Sequence, residues 1–187
     1  MVALVNFYLR LAHAVEYRLG PIVMPTLARL VFAALFALYF WNSGLTKVGE
    51  DFSGLWEPSF RTYAQIFPKS AEAGGYDIAA ASPFERAALL AGTWAEMLLP
   101  ALIVLGLFTR IAALGMVVFV IVQTLTDLYG HGLIADATAL GAWFDGDPTA
   151  LILDQRALWV MLLLIPVFRG GGPVSLDALI KRRLRVY

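Results

Sequence analysis

Glu96 stands in the run Ala87–Phe108 (AALLAGTWAEMLLPALIVLGLF), where most neighbours are apolar. A carboxylate inside a segment long enough to cross a bilayer is costly, so it must find a partner, hold a proton or do chemistry. It is the candidate catalytic residue, a group able to accept or relay a proton. Asn42, Lys47, Gln123, Asp127 and Arg156 lie in or beside similar apolar runs and are the candidate ligand-binding residues, with Asp154 close by. No metal site is expected: His13 and His131 stand apart, outside the apolar runs, and the chain has no cysteine. The same facts exclude disulfides, thiol redox chemistry, iron–sulfur ligation and bis-histidine haem ligation within the membrane by this chain. His131 reads as a solvated loop residue.

The composition says what must hold these groups. Of 187 residues, 60% are hydrophobic and 15% charged, and the mean hydropathy is +0.74. A water-soluble domain of this size carries more charge. The formal net charge is zero, which removes the electrostatic case for a nucleic-acid partner. The expected fold is all-α: one membrane domain over residues 1–187, a four-helix bundle with amphipathic interfacial helices at the N-terminus, in the outer loop and at the C-terminus.

The spans follow from apolar length and punctuation. The first is expected at 25–47, with Pro25 in its first turn and Tyr39 and Trp41 in an interfacial belt. The second, 83–108, opens with Ser82-Pro83-Phe84-Glu85, a capping box with proline at the first helical position. Thr109 is expected to cap the third, 110–128, after a turn so short that the two helices are antiparallel neighbours. Asp147-Pro148 is expected to open the fourth, 148–168, which Gly170-Gly171-Gly172-Pro173 ends.

Outside the spans, Leu4, Phe7, Leu11 and Val15 recur at helical spacing, so 4–18 reads as a surface helix rather than a signal peptide. Trp56, Phe60, Tyr63 and Phe67 recur at four, three and four residues, predicting a helix over 54–68 on the outer leaflet or above the bundle mouth. Ser175 is expected to cap a basic amphipathic helix over 175–186.

Charge sets the orientation. Arg10, Arg18, Arg29, Arg110, Arg169, Lys181, Arg182, Arg183 and Arg185 fall on the side of the two termini. Eleven acidic residues fall on the other, with Lys47, Arg61, Lys69, Arg86 and Arg156. Both termini are therefore expected in the cytoplasm. Arg29 then snorkels to that face, and Arg110 anchors the topology. Glu96 lies roughly 15–20 Å along its helix at ~1.5 Å per residue. Asn42, Lys47, Glu96, Gln123, Asp127, Asp154 and Arg156 can all converge in the outer half of the bundle. Two readings stand side by side. One is a hydrogen-bonded network that pins the helices, with Glu96 protonated or paired to Lys47 or Arg156. The other is a pocket for a quinone-like or other small polar ligand.

The order of motifs resembles the DoxX family. LARLVFAALFALYFWNSGLTKV is similar to its opening span, WAEMLLPALIVLGLFTRIAALGMV to its second and third helices, and FRGGGPVSLDALIKRR to its closing tail. Matching positions are Arg29, Ser43, Gly44, Lys47, Glu96, Gly106, Thr109, Arg110 and Asp177, while the long aromatic loop and the Asp/Gly-rich third loop depart from shorter members. The resemblance implies a bacterial inner-membrane protein that serves as the membrane subunit of an oxidoreductase assembly more than as a self-sufficient enzyme. It implies quinone as the cofactor and no covalent cofactor. The expected partners are the lipid bilayer, an oxidoreductase subunit and a second copy in a homo-oligomer. The rival functions are a transporter or membrane chaperone for a small molecule or lipid, without redox chemistry, and a structural membrane anchor.

Overall fold

The structure, a computed structural model, describes residues 1–184 of the chain. In chain order its main helices are α1 (Val2–Val48), α2 (Phe60–Ile66), α3 (Pro68–Ala73), α4 (Pro83–Leu105), α5 (Thr109–Gly130), α6 (Leu151–Arg169) and α7 (Leu176–Leu184). Among the described residues there is no strand. Helices α1, α4, α5 and α6 are long and apolar enough to cross a membrane. The protein is a multi-pass, all-α membrane protein.

Each of these four packs against two others: α1 against α4 and α6, and α5 against α4 and α6. Phe32, Phe40, Ile103, Ala112, Ala113, Met116, Val120 and Leu163 form the shared core, with Phe36, Phe119 and Trp159 at its edge. Alanines on α5 let the helices close on the larger rings. The outward faces are also apolar: Leu35, Leu38, Leu98, Ile111, Leu114, Val118, Leu158 and Met161 are all exposed. Such a surface suits acyl chains, and the helical ladder keeps the mid-span backbone groups paired.

The first helix is longer than the sequence suggests. Pro25 was expected in its first turn, yet it lies inside a helix that runs unbroken from Val2 to Val48. The chain passes Pro21 by widening. Val15–Leu19 form a π-turn in which the Gly20 amide reaches back five residues to the Val15 carbonyl. That turn makes room for a proline ring that would otherwise press on the carbonyl four residues earlier. The expected helix at 4–18 is present, with none of its residues buried, but it is the leading part of α1 and not a separate element.

Helix α4 opens with the expected capping box: the Ser82 amide donates to Glu85 Oε2 at 2.8 Å and the Glu85 amide to Ser82 Oγ at 3.3 Å. It ends at Gly106, whose φ of +69° is left-handed. Thr109 does not cap α5. It is the first residue of that helix, and the capping acceptor is Asp177, from α7. The fourth span also begins later than expected. Asp147 folds a local turn onto the Thr149 amide and hydroxyl, and the helix starts at Leu151 with the Ala150 amide donating to Asp154 Oδ2.

The outer loop is broken into α2 and α3 at Phe67-Pro68, and Trp56 precedes α2 while Phe67 follows its last residue, so the four aromatics do not ride on one helix. Tyr63 is buried with Ala71, Ala81 and Leu89, with Phe67 packed beside them. Phe60 and Trp56 stay exposed, although Trp56 meets Trp94 edge-on at 5.9 Å. Ser175 caps α7 as expected, its Oγ accepting from the Ala178 amide at 3.1 Å. The last positions of the expected 175–186 segment, and Arg185, lie outside the described residues.

Candidate functional site

Helix α1 reaches its last turn where α4 is at mid-length. Lys47 is one residue from the end of α1, whereas Glu96 is thirteen residues into α4, about 20 Å at ~1.5 Å per residue. Lys47 Nζ donates to both carboxylate oxygens of Glu96, at 2.6 Å each. Ser43, one turn back on α1, donates from Oγ to Glu96 Oε1 and accepts from Lys47 Nζ, each at 3.3 Å. Lys47 and Glu96 are 6% and 4% exposed, so the pair is closed to solvent. In a low-dielectric interior the charges hold each other strongly, and neither is tolerable alone.

The outer loop covers the pair. Gly54 is buried against the Lys47 carbonyl and the Val48 backbone, so close that any side chain there would overlap them. The Leu55 carbonyl accepts from Trp94 Nε1, two residues before Glu96, at 3.0 Å. The stretch of α4 before Glu96 packs through Leu89 on Tyr63 and its neighbours in place of α1. The segment after Val48, with a short 3-10 turn at Ser53–Leu55, is thus a roof on the ion pair, held by a close backbone approach and one indole hydrogen bond.

A second ion pair joins α5 and α6. Arg156 is 4% exposed; its Nη2 donates to Asp127 Oδ2 and its Nη1 to Thr124 Oγ1 at 3.2 Å. Both partners sit at π-turns: Asp127 lies within Thr126–Gly130, and Arg156 follows Leu151–Gln155. The extra residue in each turn shifts the side chains that follow it, a device common where helices carry function. No hydrogen bond among the described residues links this pair to Glu96.

The expected single cluster is therefore two clusters. Gln123 belongs with neither carboxylate. Its Nε2 donates to the Tyr39 hydroxyl at 3.3 Å, and its Oε1 is buried without a partner, as is Arg156 Nε. Asn42 is exposed, because its position on α1 faces away from Ser43 and Lys47, and Asp154 serves its own helix start. Arg156 does not pair with Glu96. Tyr39, assigned above to the interfacial belt, is the residue whose polar role the sequence concealed: its ring packs edge-on to Trp159 at 5.6 Å while its hydroxyl meets Gln123.

The opposite end is fastened by two further charges. Arg29 does not snorkel. It is 8% exposed, and its guanidinium donates to the carbonyls of Ile103, Val104, Gly171 and Val174 at 2.5–2.8 Å. These include the carbonyls that the end of α4 leaves without helical partners. Asp177 accepts from the Phe108 and Thr109 amides at 2.8 and 2.9 Å and from the Thr109 hydroxyl at 2.6 Å. Burial pushes its carboxyl up, but those three donors, with Lys181 nearby, outweigh that and hold it below the ordinary carboxylate value. Arg110 Nη1 donates to the Val167 and Phe168 carbonyls, closing α6, and His131 Nε2 meets the Gln65 carbonyl at 2.8 Å.

The family described as DoxX matches residues 24–127, more than half of the chain and the part that carries Arg29, Lys47, Glu96, Gln123 and Asp127. No curated protein and no solved structure matches it.

Proposed function

The chain belongs to the DoxX family, and on that premise we propose that it is the membrane subunit of an oxidoreductase assembly in a bacterial inner membrane. Its termini lie in the cytoplasm, and a partner subunit holds the redox centre. The observation that carries the reading is the roofed Lys47–Glu96 pair, a buried acid–base couple midway along α4 among otherwise apolar helices. Lys47 and Ser43 hold the carboxylate in place. Moving a proton onto Glu96 would cancel its half of the pair and release Lys47, so proton transfer here is coupled to motion of the last turn of α1.

A quinone is the cofactor we assign to the assembly, and two buried, unpartnered atoms on α5 and α6 suit its polar ends. Its carbonyl could accept from the unpartnered Arg156 Nε, and its reduced hydroxyl could donate to the unpartnered Gln123 Oε1. Such a group, when bound, supplies a two-electron, two-proton acceptor. Arg156 and Gln123 would orient the quinone, and Glu96, in its separate roofed cluster, would take up an accompanying proton.

One observation favours a second reading. Both Glu96 oxygens are already engaged, which suits a structural clasp as well as a proton site. Glu96→Gln separates them. In membranes containing the assembly, loss of quinone-linked turnover with the fold retained supports the proton role. Unchanged turnover with a lowered unfolding temperature supports the clasp.

A further inference from the structure

The end of the bundle away from the ion pair holds a cleft of about 660 Å³. It lies between the Gly170–Pro173 loop, the first turn of α5 and α7. Arg110, Arg169 and Lys181 line it together with Pro21, Ile22 and Ile111. Asp177 is the carboxylate on its wall, and both its oxygens are occupied by Thr109 and Phe108. Among the described residues neither Arg169 nor Lys181 is in an ion pair, and Arg110 spends only Nη1 on the end of α6. Three cations against one carboxylate leave a surplus of about two positive charges in one recess.

The cleft has a second character. It opens where α5 begins and α6 ends, which is the boundary between the apolar spans and the medium beyond them. Arg110 and Ile111 are adjacent on α5, and Ile111 is exposed on its outer face. A soluble anion would need the cations and gain nothing from Pro21, Ile22 and Ile111. A molecule with a charged head and a hydrocarbon chain uses both.

We infer that this cleft binds the phosphate headgroup of an anionic phospholipid, with Arg110, Arg169 and Lys181 around the phosphate and an acyl chain along Pro21, Ile22 and Ile111. Basic recesses at the ends of spans are suited to such headgroups. The lipid would tie α7 and the glycine loop to the bundle at the end where Arg29 and Asp177 already fasten it.

The test uses the full chain in neutral detergent and titrates phosphatidylglycerol against phosphatidylcholine, reading retained lipid by native mass spectrometry and unfolding temperature. Phosphatidylglycerol should be retained and protective. The double variant Arg169→Gln/Lys181→Gln should weaken its retention about tenfold. Neither side chain makes a hydrogen bond among the described residues, so the fold should persist. Arg182→Gln/Arg183→Gln removes equal charge outside the cleft and should change retention less than about threefold. Equal loss from both double variants would reduce the effect to general surface charge and overturn the site. Inorganic phosphate protecting as well as the lipid would overturn the lipid assignment in favour of a soluble anion.

Discussion

Lys47 Nζ stands 2.6 Å from both carboxylate oxygens of Glu96, and the short 3-10 turn Ser53–Leu55 roofs the pair through Gly54 and the Leu55–Trp94 hydrogen bond. A charge pair at this depth commits two helices to one register, because sliding either by a turn would strand both charges. Its chemistry and its structural role therefore share the same atoms, and mutation must be designed to pull them apart.

Single removal should be costly and paired removal mild. Lys47→Met or Glu96→Leu leaves one charge buried and should cost about 3–5 kcal/mol. The double variant should recover most of that. Thermal unfolding in detergent, analysed as a double-mutant cycle, measures the coupling; additive losses would show that the two residues do not act as a pair.

Arg29→Lys keeps the charge and loses the fork that reaches four carbonyls. We expect a loss of about 2 kcal/mol or more, since a single ammonium cannot span the end of α4 and the glycine loop together. An unfolding temperature equal to that of the parent would show that the charge alone suffices.

Asp177 has a folded-state carboxyl held below its ordinary value, which is about 3.9 when unfolded. Its contribution to stability is therefore fully present above about pH 4 and is lost as pH falls through the lower folded value. Asp177→Asn should lower stability at neutral pH and flatten the acid limb. Unfolding followed by tryptophan fluorescence from pH 7 down to 3 reads both effects.

Gly106→Ala should be among the most damaging small substitutions. The position has φ +69°, and a Cβ there would meet the Ser175 side chain and the Arg29 guanidinium, each within 2.7 Å. A cost above about 1 kcal/mol is expected from the backbone alone. Gly75→Ala, also at positive φ but with open space around it, controls for the dihedral: the difference between the two variants isolates the clash.

Apolar length and capping chemistry made the four spans legible. Ser82, Glu85 and Gly106 mark the ends of α4 because local hydrogen bonds decide them. The long-range caps were hidden. No spacing tells Asp177 to cap a helix 68 residues earlier, or Arg29 to leave the interface for the carbonyls of Ile103 and Gly171. Proline punctuation misled at both ends. Pro25 sits in mid-helix because a π-turn widens the chain before Pro21, and Pro148 belongs to a turn closed by Asp147. In the site, hydropathy identified which residues are polar at depth but not which face each takes. Lys47 met Glu96 because Ser43, Lys47 and the α4 carboxylate share a face. Asn42, one position before Ser43, turned outward.

An uninterrupted helix of 47 residues is about 70 Å long at ~1.5 Å per residue, more than twice a hydrocarbon core of ~30 Å. Its leading turns and the lysine of the ion pair are therefore opposite ends of one lever. The π-turns at Val15–Leu19 and Ala33–Ala37 both lie between Phe7 or Leu11 and the seat of Lys47, so any displacement passing from one end to the other must cross them.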